Sequence, residues 1–287
     1  MKLKPWLMYA LITTVFWGLW GALIELPEKA GFPATLGYSV WAFTMIIPSL
    51  IALKIINWKL DKDEKAIVYG LLIGLSGAAG QLLLFLALRS GPAYLVFPFV
   101  SLSPLVTILL SILLLREKAS AKAWTGIIIA LVAIPLLSYQ PAQNGGSSGY
   151  LWIIFALLVF LLWGVQAYFM KLANTHMKAE SIFFYMMITG IALIPFAILL
   201  TDFSTDINWG FKGPYLAAMI QILNSIGALF LVYAFRYGKA IIVSPLTNAG
   251  APVITIVISL IIYGVFPHTA ILTGMVLAIV AIFLLAD

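Results

Sequence analysis

The chain has 287 residues, of which 63% are hydrophobic and 9% carry a charge. Soluble domains carry about 25% charged residues, so this composition excludes a sizeable soluble domain and favours a bundle embedded in lipid. The net charge of +6 comes from lysines and arginines in short polar segments, a pattern that reflects membrane topology and predicts no nucleic-acid partner. There is no cysteine, which excludes disulfides, thiol catalysis and cysteine metal sites.

Ten continuous apolar segments are long enough to cross a membrane as helices, which requires about 20 mostly apolar residues each. The first follows Lys2 and Lys4, as in a signal peptide, but its length and its lack of a small-residue cleavage site predict a retained helix. The predicted fold class is therefore all-α integral membrane, with ten transmembrane helices. In chain order these helices cover residues 5–24, 35–56, 66–88, 93–115, 121–139, 149–171, 181–200, 213–235, 240–263 and 268–286.

Residues 80–98 and 227–245 are two copies of one sequence, identical at nine of nineteen positions with an offset of 147. We therefore predict two repeats, residues 1–141 with helices 1–5 and residues 142–287 with helices 6–10, joined by the Gly/Ser-rich segment 140–149. An offset of 147 or 146 also relates other residues of the repeats: Tyr38 with Tyr185, Pro48 with Pro195, and Trp17-Gly18 with Trp163-Gly164.

Because each repeat has an odd number of helices, the second must enter the membrane from the opposite side, so the repeats are inverted. With the N-terminus in the cytoplasm, thirteen lysines and arginines lie on the cytoplasmic side and three on the outer side, as the positive-inside rule requires. The repeated Arg89 and Arg236 then lie on opposite faces. We expect a multi-pass protein of a bacterial inner (plasma) membrane with both termini cytoplasmic.

Three recurring features make the chain similar to the EamA-like family of the drug/metabolite transporter superfamily. They are the Trp-Gly pair in the first helix of each repeat, the segment A-x-R-x-G-x-A between the third and fourth helices, and the order Pro104, Glu117, Gly126 in the first repeat. The resemblance covers nearly the whole chain. It implies ten helices around a cavity lined mainly by helices 1, 3, 4, 6, 8 and 9, and transport of small metabolites, often outward. In the second repeat Val265 replaces the glutamate, which argues against a shared coupling glutamate.

No Asp or Glu lies inside any predicted helix, whereas an intramembrane carboxylate usually marks a proton or ion path. Neutral polar side chains do occur at mid-span, where they bond either a neighbouring helix or a substrate. Trp17 and Trp20 share a helix face, and Trp163 with Gln166 repeats their spacing. Trp41 is a weaker candidate, because helix 2 is expected to be peripheral. The residues predicted to bind substrate are Trp17, Trp20, Gln81, Ser101, Trp163, Gln166, Asn224 and Asn248.

Ser101 and Asn248 stand at equivalent positions of the repeats, so we expect them to face each other across a pseudo-twofold axis. Glu25, at the outer end of helix 1, is either a solvated helix end or part of a gate. His176 and His268 lie at loop edges and are interpreted as surface residues away from carboxylates. Proline removes a backbone donor and kinks a helix, so helices 4 and 9 should bend at four gating or hinge positions: Pro98, Pro104, Pro245 and Pro252.

The leading hypothesis is a secondary transporter that moves a small polar or zwitterionic, amino-acid-like metabolite by alternating access, as export or facilitated exchange. The alternative is a carrier of a quaternary ammonium or another amphipathic cation, held by cation–π contact. An enzyme or a channel is less favoured: the sequence has no histidine–carboxylate cluster and no glycine-rich nucleotide loop, and the mixed charges at 59–65 indicate a solvated loop. We expect a small-molecule substrate and the lipid bilayer as partners, a monomer or homodimer, and no catalytic residue, cofactor or metal.

Overall fold

The computed structural model describes residues 4–91, 93–139, 150–264 and 266–286, and no strand occurs among them. The predicted linker 140–149, the boundary between the repeats and Val265 lie outside the described residues. The helices are α1 (Pro5–Leu23), α2 (Glu25–Lys29), α3 (Ala34–Thr44), α4 (Ile46–Ile55), α5 (Glu64–Ser90), α6 (Ala93–Val100), α7 (Pro104–Leu113), α8 (Ala121–Leu137), α9 (Leu151–Ala173), α10 (Ala179–Ala192), α11 (Ile194–Leu199), α12 (Leu216–Tyr237), α13 (Ala240–Tyr263) and α14 (Thr269–Ala286).

Each predicted segment contains helix, and eight of them form apolar helical stretches of at least 18 residues. The fourth is interrupted by a turn between α6 and α7, and the fifth, α8, is 17 residues long. Large apolar side chains such as Phe283, which is 74% exposed, cover the outside of the bundle, as expected for a surface in contact with lipid. The helical, multi-pass architecture is confirmed, while the ten crossings remain a prediction.

Helices 2 and 7 are each divided just before a proline that the two repeats share. α3 ends at Thr44 and Pro48 follows in α4; α10 ends at Ala192 and Pro195 follows in α11. Proline cannot donate to the carbonyl four residues earlier, so the helical hydrogen-bond ladder is interrupted at that point. These two breaks were not predicted from the sequence, although the proline pair was visible in it.

The first helix of each repeat packs against the other repeat. α1 contacts α12 and α13, while α9 contacts α5 and α7. The last helices of the two repeats, α8 and α14, pack against each other. The two repeats are therefore interlocked, and the centre of the bundle is bounded by helices from both.

The glycine of each Trp-Gly pair permits these crossings. A methyl group added at Gly18 would lie 2.5 Å from Cβ of Ile254 and 3.1 Å from Ala251 O in α13. A methyl group at Gly164 would lie 2.7 Å from Ser103 O, beside α7. Carbon atoms in contact normally stay about 3.5–4.0 Å apart, so these helices approach closely only because glycine stands at the crossing.

Candidate functional site

A cavity of about 290 Å³ lies at the centre of the bundle, bounded mainly by α1, α5, α9, α12 and α13. Each of these five helices carries a tryptophan or an amide side chain that the sequence places at mid-span. The structure thus brings most of the predicted residues around one hollow, while their role in binding remains a prediction. Seven of the eight predicted side chains line it: Trp17, Trp20, Gln81, Trp163, Gln166, Asn224 and Asn248.

Ser101 is not among the lining residues. It lies in the turn between α6 and α7, and the neighbouring Ser103 lines the cavity instead. Five residues (99–103) separate the two prolines of helix 4, whereas six (246–251) separate those of helix 9, so the equivalence of the repeats slips by one position here. Ser101 and Asn248 therefore do not form a symmetric pair across the cavity, contrary to expectation.

Two indole rings are fixed in the cavity wall by their own N–H groups. Nε1 of Trp17 donates to Asn224 O at 3.3 Å, and Nε1 of Trp163 donates to Gly77 O at 3.4 Å. Asn224 and Gly77 are related by the repeat offset of 147, so both halves hold their tryptophan in the same way. Because these N–H groups are engaged, the rings offer the cavity mainly their π faces.

The repeated glycines Gly80 and Gly227 make room for the same two rings. A methyl group added at Gly80 would lie 2.5 Å from Nε1 of Trp163, and one added at Gly227 would lie 2.5 Å from Cδ1 of Trp17. Both distances are shorter than real carbon contacts allow. The indoles therefore pack directly against the backbones of α5 and α12, which requires glycine at these two positions.

Trp20 and Trp41 form the outer rim of the cavity. Nε1 of Trp20 donates to Oε1 of Gln221 at 2.9 Å, and Nε2 of this buried glutamine donates to Gly37 O at 3.3 Å. Trp41 lines the cavity although helix 2 was expected to be peripheral. Its position three residues after Tyr38, which is repeated in the second half, places it on the same helix face and was a usable signal.

Amide side chains supply the polar part of the wall. Within the described part of the chain, no hydrogen bond joins the side-chain amides of Gln81, Gln166 or Asn224 to another residue. Nδ2 of Asn248 donates to Ser244 O at 2.9 Å, so its oxygen stays available. Each unpaired amide offers two donors and one acceptor group. Lining residues outside the predicted set include Ser103, Met170, Met186, Phe235 and Ser244. Ser103 is a polar residue at mid-span of helix 4, so the sequence did offer a signal for it, whereas no pattern marks the two methionines or Phe235.

The cavity continues into a wider vestibule of about 970 Å³ at one end of the bundle. Four residues line both hollows and so form their boundary: Trp20, Trp41, Gln81 and Asn224. No charged side chain among the described residues lines the inner cavity. Three acidic and two basic side chains line the vestibule: Glu25, Glu28, Asp202, Lys29 and Arg89. The cavity is thus reached from the end that was predicted to be the outer side.

At the opposite end of the bundle, Glu180 and Glu117 each bond a neighbouring helix. Tyr233 donates its hydroxyl to Oε1 of Glu180 at 2.6 Å, and Glu180 is buried in the first turn of α10. A buried carboxylate therefore does lie within helix 7, which begins two residues earlier than predicted. Oε2 of Glu117 accepts from Ile241 N at 3.1 Å and so caps the start of α13.

The loop before α5 is anchored to the start of α10, so it is not the solvated loop expected. Oδ2 of Asp61 accepts from Lys178 N and from Ser181 Oγ, both at 2.8 Å. Burial raises the pKa of Asp61, but these hydrogen bonds and the Lys178 charge outweigh it, and the pKa is lowered. His176 Nε2 lies 2.6 Å from Oδ2 of Asp63, so the expectation that His176 lies away from carboxylates is wrong. This hydrogen bond holds the pKa of Asp63 below its ordinary value.

Only one of the four predicted hinge prolines coincides with a helix break among the described residues. α7 begins at Pro104, directly after the turn at residues 101–103. Pro98 falls within α6, and Pro245 and Pro252 fall within the continuous α13. Pro252 leaves the carbonyl of Asn248 without its helical donor, beside the cavity. The hinge role of all four remains a prediction. Across the described ranges, His, Asp and Glu side chains do not gather in threes that could hold a metal ion.

A helical bundle with an apolar outside and a central cavity reached from one end belongs to the class of multi-pass membrane proteins. The model of the EamA-like transporter family matches residues 4–139 and again residues 150–286. The chain therefore belongs to the EamA-like transporter family, and the resemblance to the drug/metabolite transporter superfamily is confirmed. It is a family of transporters.

Individual relatives are similar over parts of the chain. A stretch of 76 residues is 37% identical to the uncharacterized protein MJ1333.1 of Methanocaldococcus jannaschii; it is 26% of this chain and spans 56% of that relative, just over half of its length. Protein LicB of Haemophilus influenzae is 24% identical over 217 residues, 70% of each chain. A solved crystal structure of a protein 19% identical in sequence has a TM-score of 0.78 and covers 96% of this chain and 95% of the other, which shows a shared fold.

Proposed function

We propose that this protein is a secondary transporter that moves a small polar or zwitterionic metabolite across the membrane by alternating access, as export or facilitated exchange. The observation that carries the proposal is the central cavity, walled by indoles and unpaired amides and continuous with a vestibule at one end. Two interlocked repeats around such a cavity suit a carrier whose site faces each side of the membrane in turn.

The size and chemistry of the cavity limit the substrate. A volume of about 290 Å³ lies at the lower end of the range for small-molecule pockets, about 300–1,000 Å³, and so favours a small solute. The amides of Gln81, Gln166 and Asn224 supply donors and acceptors but no charge. An isolated ion would lack a counter-charge in this wall. We therefore favour an amino-acid-like solute, whose own charges compensate each other.

A quaternary ammonium or another amphipathic cation is the second candidate. Trp17, Trp20 and Trp163 use their N–H groups in bonds to the protein, so their ring faces remain for a ligand. A cation over an indole face gains about 0.5–2 kcal/mol. The vestibule adds one net negative charge, from three acidic and two basic side chains. An amino-acid-like zwitterion and a quaternary ammonium both carry a positively charged nitrogen that the indoles would contact.

We also propose ten membrane crossings in two inverted repeats, residues 1–141 and 142–287, with both termini cytoplasmic in a bacterial inner membrane, as a monomer or homodimer. The support is that α5 carries Arg89 to the vestibule end, while α12 carries the equivalent Arg236 beside Met177 near the start of α10. Reporter fusions at both chain ends test the topology: activity in the same compartment supports it, and activity in different compartments contradicts it.

The substrate is sought with a thermal-shift screen of purified full-length protein against amino acids, sugars, nucleosides and quaternary amines. A ligand at about 100 times its Kd stabilises the folded state by about 2.7 kcal/mol. We expect Trp17→Ala and Trp163→Ala to reduce the shift, and the exposed Trp124→Ala and Trp209→Ala to preserve it. A hit among the zwitterionic or neutral polar solutes supports the first candidate, and a hit among the quaternary amines supports the second.

The transport step is tested in proteoliposomes loaded with the stabilising solute. A carrier predicts saturable uptake and counterflow, in which solute inside the vesicle accelerates uptake of labelled solute from outside. Continuous, non-saturating conductance would contradict the proposal and favour a channel. Equal loss of the thermal shift in the cavity and edge tryptophan variants would move the site away from the cavity.

A further inference from the structure

At the end of the bundle away from the vestibule, a lysine joins two helices. Nζ of Lys171 donates to Phe235 O at 3.0 Å and to Gly238 O at 2.5 Å. Nδ2 of Asn174, one turn further along, donates to Val232 O at 3.0 Å. Both side chains leave the end of α9 and reach carbonyls at the end of α12. The first helix of the second repeat is therefore clamped to the third helix of the same repeat at this end.

The equivalent helices at the vestibule end are not clamped in this way. The repeat offset of 146 places Glu25 at the position of Lys171, and the offset of 147 places Arg89 at that of Arg236. Both Glu25 and Arg89 line the vestibule. Oε2 of Glu25 lies 2.6 Å from Nζ of Lys29 in its own helical turn, and Nη1 of Arg89 donates to Leu200 O at 3.0 Å. Each charge is thus held by a neighbour on its own side of the hollow.

We propose that Glu25 and Arg89 form an ion pair that closes the vestibule when the cavity opens to the opposite end. This inference rests on the proposed alternating access. The repeat offsets transfer the Lys171 contact to the vestibule end, where they place Glu25 against positions 88 and 91, at the end of α5. A lysine there donates to carbonyl oxygens, but a carboxylate accepts only, so it needs a donor. Arg89 lies between positions 88 and 91 in the chain, and its guanidinium supplies this hydrogen-bond donor.

The chemistry of the pair suits a contact that must form and break. The side chains of Glu25 and Lys29 are 61% and 60% exposed, and exposed ion pairs contribute little to stability. Glu25 therefore loses little free energy when it leaves Lys29 and pairs with Arg89. Arginine binds a carboxylate through two parallel N–H groups, which favours a single closed geometry. The two ends then close with different chemistry: lysine to carbonyls at one end, and carboxylate to guanidinium at the other.

The test measures closure directly by thiol labelling in the full-length protein. Because the chain has no cysteine, Leu88→Cys introduces a single thiol in the vestibule wall. A membrane-impermeant maleimide labels it only while the vestibule is open. In this background, E25Q and R89Q should each raise the labelling rate about three- to fivefold, and the two together should raise it no further. The charge-swapped pair E25R/R89E should return the rate towards that of the parent.

The matched control is K212Q, an exposed lysine on the predicted outer side that does not line the vestibule, which should leave the labelling rate unchanged. The proposal is overturned if the single variants leave the rate unchanged, or if the charge swap labels as fast as either of them. The labelling needs no known substrate. If the protein transports solute but E25Q and R89Q leave the labelling rate unchanged, the ion pair alone is refuted. If these variants change the labelling rate but the protein transports no solute, the carrier function is refuted.

Discussion

Thr107 and Thr255 make the same hydrogen bond in the two halves of the chain. The hydroxyl of Thr107 donates to Gly164 O, and that of Thr255 donates to Gly18 O, both at 3.0 Å. Each acceptor is the glycine of a Trp-Gly pair. The two crossings, α7 with α9 and α13 with α1, are therefore related side chain by side chain, and the correspondence between the two repeats extends to individual bonds.

Removing these hydroxyls should weaken both crossings independently. Valine keeps the shape of threonine but leaves the glycine carbonyl unpaired, so we expect Thr107→Val and Thr255→Val each to lower the free energy of unfolding by about 1 kcal/mol. The losses should add in the double variant. Thermal unfolding in one detergent measures them. Thr273→Val, whose hydroxyl bonds only within its own helix, should change stability by less than about 0.5 kcal/mol. A double variant no weaker than either single one would contradict independence.

Small additions beneath the indoles should disturb the cavity. Gly80→Ala and Gly227→Ala place a methyl group against Trp163 and Trp17, so each ring must move, at a cost of about 1–3 kcal/mol in stability. We expect ligand binding, measured by thermal shift, to fall as well. Gly190→Ala is the matched control, because its nearest neighbours would lie 3.8 Å from the new methyl group. If all three variants behave alike, the glycines have no specific role beneath the rings.

Gln221 should act on the cavity only through Trp20. Trp20→Phe keeps an aromatic ring and removes the indole donor, while Gln221→Leu removes the acceptor at 2.9 Å. We expect a coupling free energy of about 0.5–1.5 kcal/mol between them in a double-mutant cycle of ligand affinity. An affinity change for Gln221→Leu that persists unchanged in the Trp20→Phe background would show that the glutamine acts by another route.

Asp61 should make the anchored loop sensitive to acid. Its pKa is lowered in the folded state, so its carboxylate stabilises the fold above the ordinary carboxyl range. This contribution is lost as the pH falls through the lowered pKa. Asp61→Asn should therefore lower the free energy of unfolding near neutral pH by about 1–3 kcal/mol relative to the wild type. This gap in stability should shrink on acidification, and thermal unfolding at several pH values measures it. Glu64→Gln, on the exposed start of α5, should show no such gap, and a gap that widens in acid would contradict the assignment.

The sequence located the cavity because its strongest patterns arise from packing at the centre. Trp17 and Trp163 repeat since each lies on a repeated glycine, Gly227 or Gly80, and steric fit at a close helix crossing allows few other residues. Amides at mid-span are also conspicuous in an apolar segment. Such signals come from single positions and need no knowledge of how the helices are arranged.

What the sequence could not show depends on helix arrangement. Trp41 reaches the cavity because helix 2 lies closer to the centre than expected, and nothing in its own segment reports that distance. Ser101 misses the cavity because one fewer residue between two prolines turns the chain. Asp61 and His176 were misjudged because their partners, Lys178 and Asp63, come from the other repeat.

The packing of α1 on the other repeat has a consequence for the order in which the bundle assembles during synthesis. α1 is made first, yet its packing partners α12 and α13 belong to the final part of the chain. Since domains fold as the ribosome releases them, α1 remains in the bilayer without its main packing partners until α12 and α13 have been synthesised. A nascent chain interrupted before α12 would leave α1 without the two helices on which it packs.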